Sequence, residues 1–123
     1  MTKRLVRALE NPHVTMLGHP TGRLILAREG YPVDLERVIE TAAGLGKVIE
    51  LNANPYRLDL DWRWCRRAKE KGVKISINPD AHSPEGLGDM VYGVDAARKG
   101  WLEAGDVFNC IPLAEMERLL KRA

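Results

Sequence analysis

Apolar and polar residues follow two rhythms along the chain: helical runs of three- and four-residue steps, and short strand-like runs closed by glycine, proline or asparagine. Leu5, Val6 and Leu9 share one helical face over residues 3–10, with Thr2 as the expected N-cap and Asn11 and Pro12 as the stop. Residues 14–17 are then an apolar run too short for a helix, closed by Gly18 and followed at once by His19. Asp34 is placed to cap a helix through Leu45, where Leu35, Val38, Ile39, Ala42 and Leu45 recur at helical steps and Gly44 and Gly46 mark the exit. Residues 47–51 predict a strand. Asp59 is the expected cap of a helix over 60–71 that ends at Gly72, and 73–77 alternate as a further strand until Asn78, Pro79 and Asp80 break it. Met90, Val91, Val94 and Ala97 predict a helix over 90–99, residues 107–110 a last strand, and Pro112 the opening of a final helix over 112–122.

That order, αβαβαβαβα, implies an α/β fold of parallel strands joined by right-handed crossovers. Both an open doubly wound sheet and a piece of a (β/α) barrel satisfy it. Polar residues favour the barrel: three successive strands end in His19, in Glu50 with Asn52, and in Asp80 with His82, so all gather on the rim where barrel enzymes keep their chemistry. An open sheet also binds ligands at its strand ends.

A chain of 123 residues suits one compact domain, and 45% hydrophobic with 29% charged residues exclude disordered and fibrous classes. Nineteen basic against seventeen acidic side chains leave +2, too balanced for net charge to indicate a nucleic-acid partner, so any such partner is argued locally. Cys65 and Cys110 lie far apart without a CxxC spacing, which points to reduced thiols instead of a zinc knuckle or disulfide framework. No apolar window approaches 18 residues and the N-terminus lacks signal-peptide features, so the expectation is a cytoplasmic protein without a membrane partner.

Asp80 and His82, two apart just past a strand, project to the same side of an extended segment, where carboxylate and imidazole can meet one metal ion or two neighbouring ones. The alternative is a turn in which Asp80 caps a later amide and His82 is merely exposed. His19, in Gly18-His19-Pro20, leaves a strand beside breakers as metal ligands often do, although a histidine there can equally be satisfied by a carbonyl. His13 precedes its strand, falls on the opposite rim and reads as structural. Glu50 sits inside an apolar strand, where an ionised carboxylate needs a partner; it can orient a ligand histidine, take part in proton transfer, or be pinned by backbone amides or an arginine. Arg23 and Arg57 lie on loops from the same rim, where guanidinium forks can grip phosphate oxygens or simply be solvated. The Arg66, Arg67, Lys69 and Lys71 cluster reads as a solvated helix face, and Trp62, Trp64 and Trp101 as packing anchors. There is neither a Gly-rich phosphate loop nor a Gly-x-Ser-x-Gly elbow, which leaves metal-assisted hydrolysis.

Taken together, Gly18-His19-Pro20-Thr21-Gly22-Arg23, Glu50-Leu51-Asn52-Ala53-Asn54-Pro55 with Arg57-Leu58-Asp59, and Asn78-Pro79-Asp80-Ala81-His82 resemble the closing motifs of the PHP superfamily of metal-dependent phosphoesterases. Tyr92-Gly93-Val94, Ala97-Arg98-Lys99-Gly100-Trp101 and Pro112-Leu113 resemble the tail of the PHP domain in bacterial family X DNA polymerases. The resemblance implies a distorted seven-stranded (β/α) barrel whose rim binds up to three divalent ions, manganese or zinc, with His19, Asp80 and His82 as metal ligands. It implies catalytic roles for Asp80, His82 and Glu50, substrate contacts for Arg23, Asn52 and Arg57, and 3′–5′ exonuclease activity on DNA in a repair polymerase.

The family's opening His-x-His motif, the ligands between it and the His-Pro motif, and the polymerase domains have no counterpart here. The expectation is therefore one unit over residues 1–123, the C-terminal portion of a PHP domain and about half of its barrel, weakly active or inactive alone. Such a half exposes two strand edges, so self-association or pairing with the missing half is expected. The competing readings are a non-catalytic scaffold or interaction fragment and a small-molecule phosphatase of the histidinol phosphate type.

Overall fold

The computed structural model describes residues 1–120. Helix α1 (Thr2–Glu10) leads to a two-residue strand β1 (Met16–Leu17), helix α2 (Leu35–Leu45), strand β2 (Val48–Asn52), helix α3 (Trp62–Glu70) and strand β3 (Ile75–Asn78). A 3₁₀ segment (Pro84–Asp89) then runs into α4 (Met90–Lys99), and two short 3₁₀ turns (Ala104–Asp106 and Phe108–Cys110) precede α5 (Leu113–Leu120). The three strands form one parallel sheet in the order β1, β2, β3, with Leu17 opposite Ile49, Glu50 opposite Ser76 and Asn52 opposite Asn78. The α/β arrangement is thus as the alternation implied. The expected end of α5 at Arg122 lies outside the described residues.

β2 is buried on both faces, as a central parallel strand must be, with Val48, Ile49, Leu51 and Asn52 all buried. Ile49, Leu51 and Ile75 meet Leu9, Val38, Ile39, Ala42 and Leu60 in one core, each full-sized aliphatic contributing about 1.5–3 kcal/mol through burial. α2 shows how the pattern is realised: its apolar stripe turns inward, the Asp34 carboxylate accepts from the Arg37 amide at 3.1 Å, and Gly46 closes the helix at φ 64°.

Four expected details are corrected. Thr2 lies inside α1 and caps nothing; its hydroxyl accepts from the Asp34 amide at 2.9 Å, tying α1 to the start of α2. The cap of α3 is Asp61, not Asp59, because Asp59 is buried and committed elsewhere. Residues 107–110 form no fourth strand: Val107 makes one isolated parallel bridge to Ile75, after which the chain curls and the Asn109 side chain takes the place of a strand backbone. Its Oδ1 accepts from the Ile77 amide at 2.8 Å and its Nδ2 donates to the Ile77 carbonyl at 2.9 Å. Trp101 also departs from a packing role, being 64% exposed with the Arg66 guanidinium 4.0 Å from its ring centre. Among the described residues no helix is long and apolar enough to cross a membrane.

Candidate functional site

Because the strands are parallel and in register, their exits open on one side of the sheet, and the loops that follow converge there. β1 leads into Gly18-His19-Pro20-Thr21-Gly22, held by groups on β2 and on the loop that follows it. The His19 amide donates to Glu50 Oε2 at 2.8 Å, and the Thr21 and Gly22 amides donate to Asp59 Oδ2 at 3.1 and 3.0 Å. The His19 carbonyl accepts from the Tyr31 hydroxyl at 3.0 Å. Burial, and next the nearby Asp59 charge, push that phenol's pKa up against a weaker opposing pull from Arg4. Gly22 has to be glycine: its φ is 67°, and a Cβ there would sit 2.6 Å from the Tyr31 ring.

Glu50, whose placement in an apolar strand demanded a partner, is pinned by the His19 amide at one oxygen and by Asn78 Nδ2 at the other, 3.0 Å away. One carboxylate on the central strand therefore couples the exits of β1 and β3. Asn52, fully buried, donates through Nδ2 to Asp80 Oδ2 at 3.1 Å while its Oδ1 accepts from the Asn54 amide. Its amide thus faces Asp80, away from solvent.

His19 Nε2 and Asp80 Oδ2 face each other across 3.9 Å. That is too long for a hydrogen bond, yet shorter than two metal–ligand bonds of about 2.0–2.2 Å end to end, so the pair can share one ion. His82 turns Nδ1 to the Asp80 carbonyl at 2.7 Å. A carbonyl only accepts, so this contact requires the proton on Nδ1 and leaves the Nε2 lone pair for a ligand, the usual arrangement of a metal-binding imidazole. Both His19 and Asp80 hold left-handed backbone, at φ 46° and 56°, a conformation that costs non-glycine residues about 1–2 kcal/mol and concentrates at functional sites. Among the described residues no group of three His, Cys, Asp or Glu side chains is close enough to form a metal cluster. The donor set therefore fits a divalent ion in type and spacing but not in number. His13 lies before β1, at the opposite end of the sheet from His19.

Arg23 and Arg57 latch the two rim loops to each other. Arg23 donates through Nε to the Arg57 carbonyl at 2.9 Å, through Nη2 to the Leu58 carbonyl, and reaches Asp61 through Nη1; Arg57 Nη1 donates to the Arg23 carbonyl at 3.2 Å. Asp61 is held below the usual carboxylate range: partial burial works against this, but the Arg63 fork and amide, with the Arg63 and Arg23 charges, outweigh it.

The residues that sequence reasoning missed are Asp59, Asn78 and Tyr31. Asn78 carried a signal, since it is the last residue of β3, at the same strand exit that Asp80 leaves two residues later. Asp59 read as a helix cap because an acidic residue before a helical pattern has that default meaning, and only the fold brings it under the Thr21 and Gly22 amides.

No protein-family model matches the chain. It is 51% identical, over 98% of its length, to the DNA polymerase/3′-5′ exonuclease PolX of Bacillus subtilis (strain 168) and spans 21% of that protein. It is 37% identical, over 66% of its length, to the probable phosphatase TTE1963 of Caldanaerobacter subterraneus subsp. tengcongensis, spanning 32% of it. A probable phosphatase of Shewanella loihica is 25% identical over 98% of the chain, which spans 49% of it.

Proposed function

The chain belongs to the PHP family of phosphoesterase domains, in the branch carried by bacterial family X DNA polymerases, and from that premise we propose that it forms part of a metal-dependent site that hydrolyses phosphodiesters. The observation that carries the reading is the pairing of His19 Nε2 with Asp80 Oδ2 across 3.9 Å at the strand exits, both residues in left-handed backbone. His19, Asp80 and His82 would hold a divalent ion, manganese or zinc, which when bound polarises the phosphate and lowers the pKa of a water. The chain's own residues set the geometry. Glu50 fixes the His19 backbone, Asn52 aims the Asp80 carboxylate, and the Asp80 carbonyl fixes the His82 tautomer. Arg23 and Arg57 brace the loops that would flank a bound phosphate.

In this proposal the three-stranded sheet is about half of a distorted (β/α) barrel, residues 1–123 form one unit of it, and the remaining strands and ligands belong to the longer polypeptide or to a second copy. The complete protein would act on DNA as a 3′–5′ exonuclease. The chain alone turns over weakly or not at all, in keeping with a donor set short of three clustered ligands among the described residues.

Elemental analysis of the dialysed chain tests the reading. Wild type is expected to retain manganese, zinc or iron near stoichiometrically, and His82→Ala and His19→Ala to lose it. Equal metal content in wild type and both variants, or none in any, would leave a scaffold fragment.

A further inference from the structure

Two large apolar side chains stand out in solvent on the rim, and the latch described above does not use them. Leu26 is 104% exposed relative to its reference state and holds φ 66°, while Tyr56 is 70% exposed. Leu26 tips a tight hairpin, with Leu24 and Arg28 exchanging backbone hydrogen bonds at 2.8 Å on either side of a three-residue loop. Left-handed backbone at such a tip is the ordinary place for glycine, so leucine there adds strain without any buried contact in return. Tyr56 shows the same combination of fixed backbone and free side chain: its amide donates to Asn54 Oδ1 at 2.9 Å and its carbonyl accepts from the Ile25 amide at 2.7 Å. That last bond joins the two tips, since Ile25 directly precedes Leu26.

Both loops leave the strand ends that carry the candidate site. Tyr56 follows by four residues the buried Asn52 that touches Asp80, so at most about 13–14 Å of backbone separates them. Three guanidinium groups, Arg28, Arg23 and Arg57, belong to these loops alongside the carboxylates of Glu29, Asp59 and Asp61; Arg23 pairs with Asp61, Asp59 is taken up by the Thr21 and Gly22 amides, and Arg28 bonds the Gly22 carbonyl at 2.7 Å. An aromatic ring and an aliphatic side chain held out beside guanidinium groups, a short reach from a phosphate-handling site, match an occupant with alternating anionic linkages and aromatic faces, namely a nucleic-acid strand, the ring offering the stacking face and the leucine an apolar edge.

We infer that Tyr56 and Leu26 form the platform on which a nucleobase next to the phosphodiester in the site is stacked. This rests on the phosphoesterase reading and names the part of the substrate these side chains meet. Stacking of this kind holds any base, so the platform fixes the position of a strand end without selecting its sequence.

The test uses a short single-stranded oligodeoxynucleotide with 2-aminopurine at its 3′ end, titrated with the chain in manganese, beside manganese content measured on the same samples. Wild type is expected to quench the base on binding. Tyr56→Ala should bind about fivefold to 150-fold more weakly, the weight of one stacked base. Tyr56→Phe should bind like wild type because the ring remains, and Leu26→Ser should weaken binding in the same direction. Manganese content should be unchanged in all three variants. Absent quenching in wild type, equal affinity of Tyr56→Ala and wild type, or a Tyr56→Phe defect as large as that of alanine would overturn the platform. Loss of metal retention from wild type would instead sink the phosphoesterase reading, with the fluorescence arm unaffected, so the two failures are separable.

Discussion

Asp61 shows how much one side chain does at the edge of the site. Its carboxylate accepts from the Arg63 amide at 2.9 Å, receives the Arg63 fork at 2.9 and 3.1 Å, and meets Arg23 at 3.4 Å, so it both caps α3 and ends the Arg23 latch. Partial burial raises the pKa of this group and the hydrogen bonds and charges of Arg63 and Arg23 lower it further, leaving it below the ordinary 3.8. A carboxylate whose folded pKa is depressed stabilises fully above its unfolded pKa and loses that contribution as pH falls through the folded value. Wild type should therefore exceed Asp61→Asn in urea midpoint by a constant margin from neutrality to about pH 5, and the margin should shrink below about pH 4. A margin that persists unchanged into strong acid would show that the charge of Asp61 is not what the latch uses. At this scale the sequence was informative about residue type but ambiguous about partner. Asp59 and Asp61 both precede a helical pattern, and which one caps was decided by the burial of Asp59 beneath the Thr21 and Gly22 amides.

Among elements, α4 is held close against the end of the sheet. Gly93 faces the end of the sheet so closely that a Cβ would lie 2.5 Å from Ala53 Cβ and 2.6 Å from Ile77 Cγ2. Those atoms sit on or next to strand backbone and cannot swing aside, so Gly93→Ala forces the helix off the sheet. Overpacking of this kind costs about 1–3 kcal/mol, while alanine returns about 1 kcal/mol of helix propensity, leaving a net loss of up to about 2 kcal/mol. Denaturant unfolding should show that loss, and a stabilised Gly93→Ala would mean α4 stands further from β3. The glycine itself was legible only as part of a helical run, because periodicity reports which face is apolar and says nothing of how near the neighbour comes. The strand expected over 107–110 failed for a related reason: its apolar residues are buried as expected, at Val107 and Phe108, but Asn109 supplies the pairing groups for Ile77 through a side chain.

For the molecule as a whole, the two thiols report how completely the core closes. Burial, then the charges of Asp61 and Asp59, push the Cys65 thiol up to about 12, and it sits inside the core against the Leu60 carbonyl, whereas Cys110 is exposed. Since the thiolate is the reactive form, a thiol reagent at neutral pH should label one cysteine per chain rapidly in the folded protein and two in denaturant. Rapid labelling of both without denaturant would show that α3 does not stay docked, as expected if the sheet needed further strands to hold it. The same core places the site: a parallel sheet in register puts every strand exit on one side, so His19, Glu50, Asn52 and Asp80 meet although they span more than half the sequence.

The sequence by itself determined the α/β alternation, the strands around residues 16, 50 and 76, the shared rim of their polar exits and the motifs by which the family is known. These follow from periodicity, breakers and residue type, which are local properties of a chain. Only the tertiary structure decided that Glu50 holds the His19 backbone, that Asn52 aims Asp80, that Arg23 and Arg57 brace loops, and that Leu26 and Tyr56 stand free beside them. Hydrogen-bond partners and exposure depend on which distant segments are brought within about 3 Å, and that proximity is set by packing across the sheet, which no local pattern encodes.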